Sequence, residues 1–83
     1  MELYKRYVDV VAMNTKEGKL IPMYIFWDDR GSRTRYQIDR IGEVKQAASV
    51  VGGSGLRYRC LIKGRSHNLY FERNRWFIES YLP

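Results

Sequence analysis

The stretch from Leu56 to Lys63 constrains the fold of this chain more than any other. In Leu56-Arg57-Tyr58-Arg59-Cys60-Leu61-Ile62-Lys63, every second residue is apolar (Leu56, Tyr58, Cys60, Ile62). The residues between them are mostly basic (Arg57, Arg59, Lys63), with Leu61 the exception. A period of two marks a half-buried antiparallel strand, one face on a core and the other in water. It also lines up several cations on one solvent-facing surface, a layout that suits polyanions.

The rest of the chain reads in the same idiom, with a turn signal every 8 to 15 residues. A first strand is expected over Tyr4 to Met13, rich in valine. Asn14-Thr15-Lys16-Glu17-Gly18-Lys19 makes a polar turn, with Gly18 free to take positive φ. A second strand spans Ile21 to Asp28, and its Pro22 is tolerated at a strand start or edge. Asp29-Arg30-Gly31-Ser32-Arg33 is the next turn. A third strand opens at Thr34 and runs to Ile41, with Tyr36 and Ile38 facing one way and Arg35, Gln37 and Asp39 the other. After the glycine cluster Gly52-Gly53-Ser54-Gly55 come Leu56 to Lys63, a turn at Gly64-Arg65-Ser66, and a strand over His67 to Glu72. A tight turn at Arg73-Asn74 then leads into a strand over Arg75 to Ser80.

Residues 41–51 read two ways. Ile41, Val44, Ala47, Ala48 and Val51 fall at helical spacings, with Gly52 placed to end the helix. Against this, Gly42 is a poor helix former, and Ser49-Val50-Val51 leans towards strand. The favoured expectation is a long bent strand to about Val44, followed by an irregular or short helical segment over 44–51.

Eighty-three residues make one domain, spanning 1–83. A chain of this size buries only about 60–65% of its unfolded surface, so its stability is expected to be modest. With 45% hydrophobic residues it has enough apolar surface to offset its ordering entropy, and disorder is not expected. Five or six short strands on so few residues cannot build a two-sheet sandwich of normal size. They can form a small, partly open antiparallel barrel, SH3-like or OB-like, which hides sheet edges. The expected fold class is therefore all-β, with Trp27, Trp76, Ile25, Ile38, Ile78, Leu69, Phe71 and Tyr58 as its core.

One cysteine, Cys60, rules out an intrachain disulfide and reads as a small buried hydrophobe. The start, Met1-Glu2-Leu3-Tyr4-Lys5-Arg6, lacks the apolar run of a secretion signal. Apolar runs such as Leu20 to Trp27 are far short of a membrane span. A cytoplasmic setting and no membrane partner are expected.

Charge is distributed unevenly. Residues 1–29 carry four basic and five acidic groups, net −1, whereas residues 30–83 carry 11 basic and four acidic groups, net +7. Nine of those 11 are arginine, the side chain better suited to phosphate contacts and base stacking. The ordinary alternative is a solvated basic surface that keeps the protein soluble.

The residues offer little catalytic chemistry. One His and one Cys cannot supply the ligands of a zinc site, and neighbouring strand residues Asp28 and Asp29 point to opposite faces. Cys60 and His67 lie on adjacent strands, but Cys60 is expected to face inward and His67 sits beside a turn; no nucleophile elbow is present. The glycine cluster lacks the ending of a phosphate-binding loop and leads into a strand rather than a helix. No enzymatic activity, cofactor or metal is expected.

What remains is the basic-aromatic face. Small barrels bind nucleic acid by tracking phosphates with cations and stacking bases on exposed rings. The candidate cations are Arg35, Arg57, Arg59, Lys63 and Arg65, with Arg33, Arg73 and Arg75 at turns. The candidate rings are Tyr70 and Phe77, whose alternation is opposite to Leu69, Phe71, Trp76 and Ile78; Tyr70 is the one expected to stack. The competing reading is that such tyrosines cover the core with the hydroxyl reaching water.

Three stretches carry a family resemblance: Tyr36-Gln37-Ile38-Asp39-Arg40-Ile41; Gly52 through Cys60; and Leu69-Tyr70-Phe71-Glu72 with Arg75-Trp76-Phe77-Ile78. They resemble a group of short, single-domain bacterial β-barrel proteins of unassigned function. The resemblance spans about Tyr7 to Glu79. It implies a cytoplasmic stand-alone β-domain and carries no activity or site residue with it.

The expected function is a non-enzymatic binding module for single-stranded nucleic acid or another polyanion. The alternative is a protein-interaction or self-assembling domain that uses an exposed sheet edge, such as Tyr4–Met13.

Overall fold

Three two-residue turns set three of the hairpins. Arg30-Gly31, Lys63-Gly64 and Arg73-Asn74 all take positive φ at both positions (50° and 80°, 49° and 76°, 49° and 65°). This is the geometry whose twist matches that of the flanking strands. The computed structural model describes residues 2–82. Its seven strands are β1 (Tyr4–Asn14), β2 (Leu20–Asp29), β3 (Ser32–Gln37), β4 (Arg40–Ala48), β5 (Ser54–Ile62), β6 (Arg65–Glu72) and β7 (Arg75–Ser80). They form one antiparallel sheet in the order β3-β2-β1-β7-β6-β5-β4. The chain is all-β, and no helix long and apolar enough to cross a membrane occurs among the described residues.

β1 joins the two halves of the sheet. Tyr4–Val8 pair with β7, and Asp9–Asn14 pair with β2. The register shifts between Val11 and Ala12, where Pro22, which has no N–H to give, joins the ladder opposite Ala12. Tyr4–Met13 is therefore not the outer edge of the sheet expected of it but lies between β2 and β7, each of its halves paired along one side.

The edges are β3 and β4, which follow each other in the chain. Between them the Ile38 N–H donates to the Met23 carbonyl of β2, and the Asp39 N–H to the Leu61 carbonyl of β5, both at 2.9 Å. Successive amides of an extended chain point to opposite sides. Ile38-Asp39 thus hands the chain from one half of the sheet to the other and curls the sheet upon itself. The continuous strand expected from Thr34 is broken there, and the count is seven rather than five or six.

No helix or irregular segment fills 44–51. β4 runs on to Ala48, and the chain then turns from Ser49 to Gly53, with the Ser49 N–H on the Gly53 carbonyl at 2.9 Å. The helix-like spacing has a specific origin. Ile41 pairs with Cys60 and Val44 with Tyr58, so a bulge between them inserts one extra residue. Two inward positions then stand three apart, as they would on a helix.

The core is formed by Ile25, Ile38, Tyr58, Cys60, Ile62, Leu69 and Ile78, with Trp27, Phe71 and Trp76 half-buried against it. Tyr70 and Phe77 point to the opposite face, as their alternation requires, yet are only 1% and 0% exposed. Their rings stack at 4.8 Å between centroids, 5° from parallel. Lys5 Nζ lies 4.5 Å from the Phe77 centroid, and the β4–β5 turn is tied onto this face through Ser49.

Candidate nucleic-acid interface

Where the curled sheet opens, β2 and β3 on one side face β5, β6 and β7 on the other across a groove of about 570 Å3. Register explains which side chains it receives. Ile25 stands opposite Tyr36, Ile62 opposite Arg65, and Cys60 opposite His67, so each pair shares the inner face. Ile25, Ile62 and Ile78 form an apolar floor; Trp27 and Tyr36 give it aromatic walls; Lys63, Arg65 and His67 line its rim.

A cation lies against each of the two rings. The Arg6 guanidinium lies 4.0 Å from the Trp27 ring centroid and donates to the Asp28 carbonyl. Arg6 pairs with Ile78, which places it on the same inner face. Lys63 Nζ lies 5.8 Å from the Tyr36 centroid. The Lys63 N–H, in turn, donates to Asp39 at 3.3 Å, so the handover between β3 and β4 also fixes the turn that carries Lys63. Apolar floor, aromatic walls and cationic rim together suit a planar, partly apolar group attached to an anion.

The six residues singled out in the sequence are not brought together. Lys63 and Arg65 reach the groove. Arg65 does so because the turn is Lys63-Gly64 alone, which leaves Arg65 and Ser66 in β6 rather than in a turn. Arg35 projects from the outer face of β3, 4.7 Å from the Tyr24 centroid. Arg59 is exposed on the outer face of β5, opposite Asn68. Arg57 shares that face, but its side chain is 17% exposed and donates to Glu43 at 2.8 Å, so it is engaged within the fold. Tyr70 is the clear correction. Its ring is covered by Phe77 and its hydroxyl donates to Glu79 at 3.0 Å, leaving no open face for a base.

Nothing in the sequence marks Trp27, Tyr36 and His67 as lining a groove, or Arg6 as lying against Trp27. Trp27 and Tyr36 alternate in phase with the core, and nothing in a strand's period shows where an inner face runs out into solvent.

Cys60 and His67 are register partners, but their environment favours neutral forms of both. Burial pushes the Cys60 thiol up to about 12. Burial, helped by Arg65, lowers His67 below its usual value. The pair therefore offers no thiolate–imidazolium couple. No cluster of three or more His, Cys, Asp or Glu able to hold a metal occurs among the described residues.

Comparison with known proteins adds a partial likeness. No family model and no solved structure matches the chain. It is 30% identical over 73 residues to the ATP synthase gamma chain of Synechococcus sp. (strain ATCC 27144 / PCC 6301 / SAUG 1402/1). The ATP synthase gamma chain of Synechococcus elongatus (strain ATCC 33912 / PCC 7942 / FACHB-805) shows the same identity. The match covers 88% of this chain but spans only 23% of either relative.

Proposed function

We propose that this chain is a non-enzymatic binding module for single-stranded nucleic acid, which it takes into the groove at the mouth of a small, partly open barrel of the SH3-like or OB-like kind. The observation that carries this reading is the grouping of Trp27 and Tyr36 with Lys63, Arg65 and His67 around one apolar floor, with Arg6 against the Trp27 ring. Bases stack on rings at little cost in sequence preference, while cations at the rim neutralise the phosphates that connect them. The overall charge of +6 favours encounter with a polyanion. A duplex keeps its bases stacked inside and presents only phosphates to such a groove, so single strands are preferred.

The test is fluorescence anisotropy with labelled single-stranded DNA, single-stranded RNA, duplex DNA and inorganic polyphosphate. About three phosphate contacts predict a roughly twentyfold loss of affinity between about 50 and 200 mM salt. Lys63→Glu/Arg65→Glu should abolish binding while circular dichroism stays native, and Arg59→Glu, on the outer face, should bind nearly as the parent does. Unchanged binding by the groove variant, or polyphosphate binding as tightly as the oligonucleotides, would sink the reading.

A further inference from the structure

β4 is the long unpaired edge of the sheet. It pairs with β5 alone, and apart from Ile41 and Ala47 all nine of its residues are exposed, Val44 to 44%. Such an edge presents a row of backbone donors and acceptors to any strand that fits it. We infer that β4 pairs antiparallel with β4 of a second copy about a two-fold axis through Val44.

Charge selects that register. Two copies that continue one sheet must keep inward residues opposite inward residues, so the axis passes through a residue, not between two. With the axis at Val44, Val44 meets its own copy and Glu43 meets Lys45 twice. Moved one residue on, to Lys45, it sets lysine against lysine; moved one back, to Glu43, it sets glutamate against glutamate. Unlike charges across a ladder stabilise and like charges oppose. Both side chains already lie on one face, with Lys45 Nζ 3.7 Å from Glu43. The bulge between Ile41 and Val44 reverses the phase of Arg40 and Ile41, so in this register the in-phase pairing is the short run centred on Glu43-Val44-Lys45. The other edge, β3, is shorter at six residues and carries Arg33 and Arg35, which would oppose their own copies.

Sedimentation velocity over a concentration series tests this, independently of the groove. The parent chain should show a concentration-dependent dimer. Glu43→Lys should weaken it roughly tenfold, because two attractive pairs become repulsive, and Glu43→Lys/Lys45→Glu should restore it. In the double variant the new glutamate stands opposite Arg57, so the fold keeps an acceptor there. As a second readout, Val44→Cys should crosslink under mild oxidation faster than Ala48→Cys, with buried Cys60 left unreacted. A monomer at every concentration, or a dimer indifferent to Glu43→Lys, overturns the proposal.

Discussion

The Tyr70 hydroxyl donates to Oε2 of Glu79 at 3.0 Å, and the two residues stand on adjacent strands of the face turned away from the core. The same oxygen accepts from Ser49 at 2.7 Å, while Oε1 accepts from Asn68 at 2.9 Å. One carboxylate thus fastens β6, β7 and the β4–β5 turn together, and this is why the Tyr70–Phe77 stack is covered. A sheet face expected to meet solvent becomes a second small core.

Glu79 should therefore impose an acid limit on stability. Burial by itself pushes its carboxyl up, but the hydrogen bonds from Ser49, Asn68, Tyr70 and the Val50 backbone together outweigh burial and hold it below its ordinary 4.5. A carboxyl lowered by folding contributes stability above its unfolded value, lost as pH falls through the folded one. Thermal melts of the parent should drop as pH is lowered below about 4.5, and the drop should be shallower in Glu79→Gln. At neutral pH that variant should be less stable by about 1–2 kcal/mol, given its partial exposure. Parallel pH profiles for the two proteins would refute the assignment.

Burying the stack itself should matter more than the hydroxyl that crowns it. Phe77→Ala removes a fully buried ring and should cost about 3–5 kcal/mol, enough to unfold much of a domain this small. Tyr70→Phe keeps the stacked ring and loses one hydrogen bond, so about 0.5–1.5 kcal/mol is expected. Urea titration of the two variants checks the ranking; equal effects would mean the rings contribute little.

How much of this was legible in the sequence depends on the range of the signal. The alternation of Leu56 to Ile62 placed Tyr58, Cys60 and Ile62 inward, and β1, β2 and β7 begin or end within one residue of their expected limits. Local period and turn chemistry suffice for that. Alternation assigns Tyr70 a face but cannot say what lies over that face. The cover comes from Ser49, 21 residues earlier, brought there by the hairpin tip. Likewise the bulge at Gly42-Glu43 mimics helical spacing, and only pairing with β5 separates the two. The groove escaped for a related reason. Lys63 meets Tyr36 because Ile38-Asp39 bonds to β2 on one side and β5 on the other, a relationship set by sheet order and not by any local pattern.

Two glycines on the β4–β5 hairpin make a paired test of backbone approach. A Cβ at Gly55 would fall on the Phe71 carbonyl oxygen of β6, whereas one at Gly42 would meet only the Arg59 carbonyl, at an ordinary 3.7 Å. Gly55→Ala must push β5 from β6 and should cost about 1–3 kcal/mol; Gly42→Ala should change stability by less than about 1 kcal/mol. The comparison is read from denaturation midpoints, and a well-tolerated Gly55→Ala would contradict the close approach of the two strands.

Binding in the groove should be linked to protons through His67. Burial, and secondarily Arg65, lowers its pKa below the ordinary 6.5, so the free protein carries it neutral at pH 7. A phosphate at the rim supplies an opposite charge and favours the imidazolium. Binding then takes up a proton, and affinity for a single-stranded oligonucleotide should rise as pH falls from about 7.5 to 5.5, by about tenfold for each unit the pKa moves. The lowered pKa acts on folding with the opposite consequence. The fold favours neutral His67, so that contribution is present above the ordinary 6.5 and is lost as pH falls through the lowered value. Circular dichroism at each pH separates the two effects. In His67→Gln the rise in affinity should vanish while binding at pH 7.5 stays close to that of the parent. A parent whose affinity is flat across this range would place the phosphates away from β6, and with them the groove as the binding site.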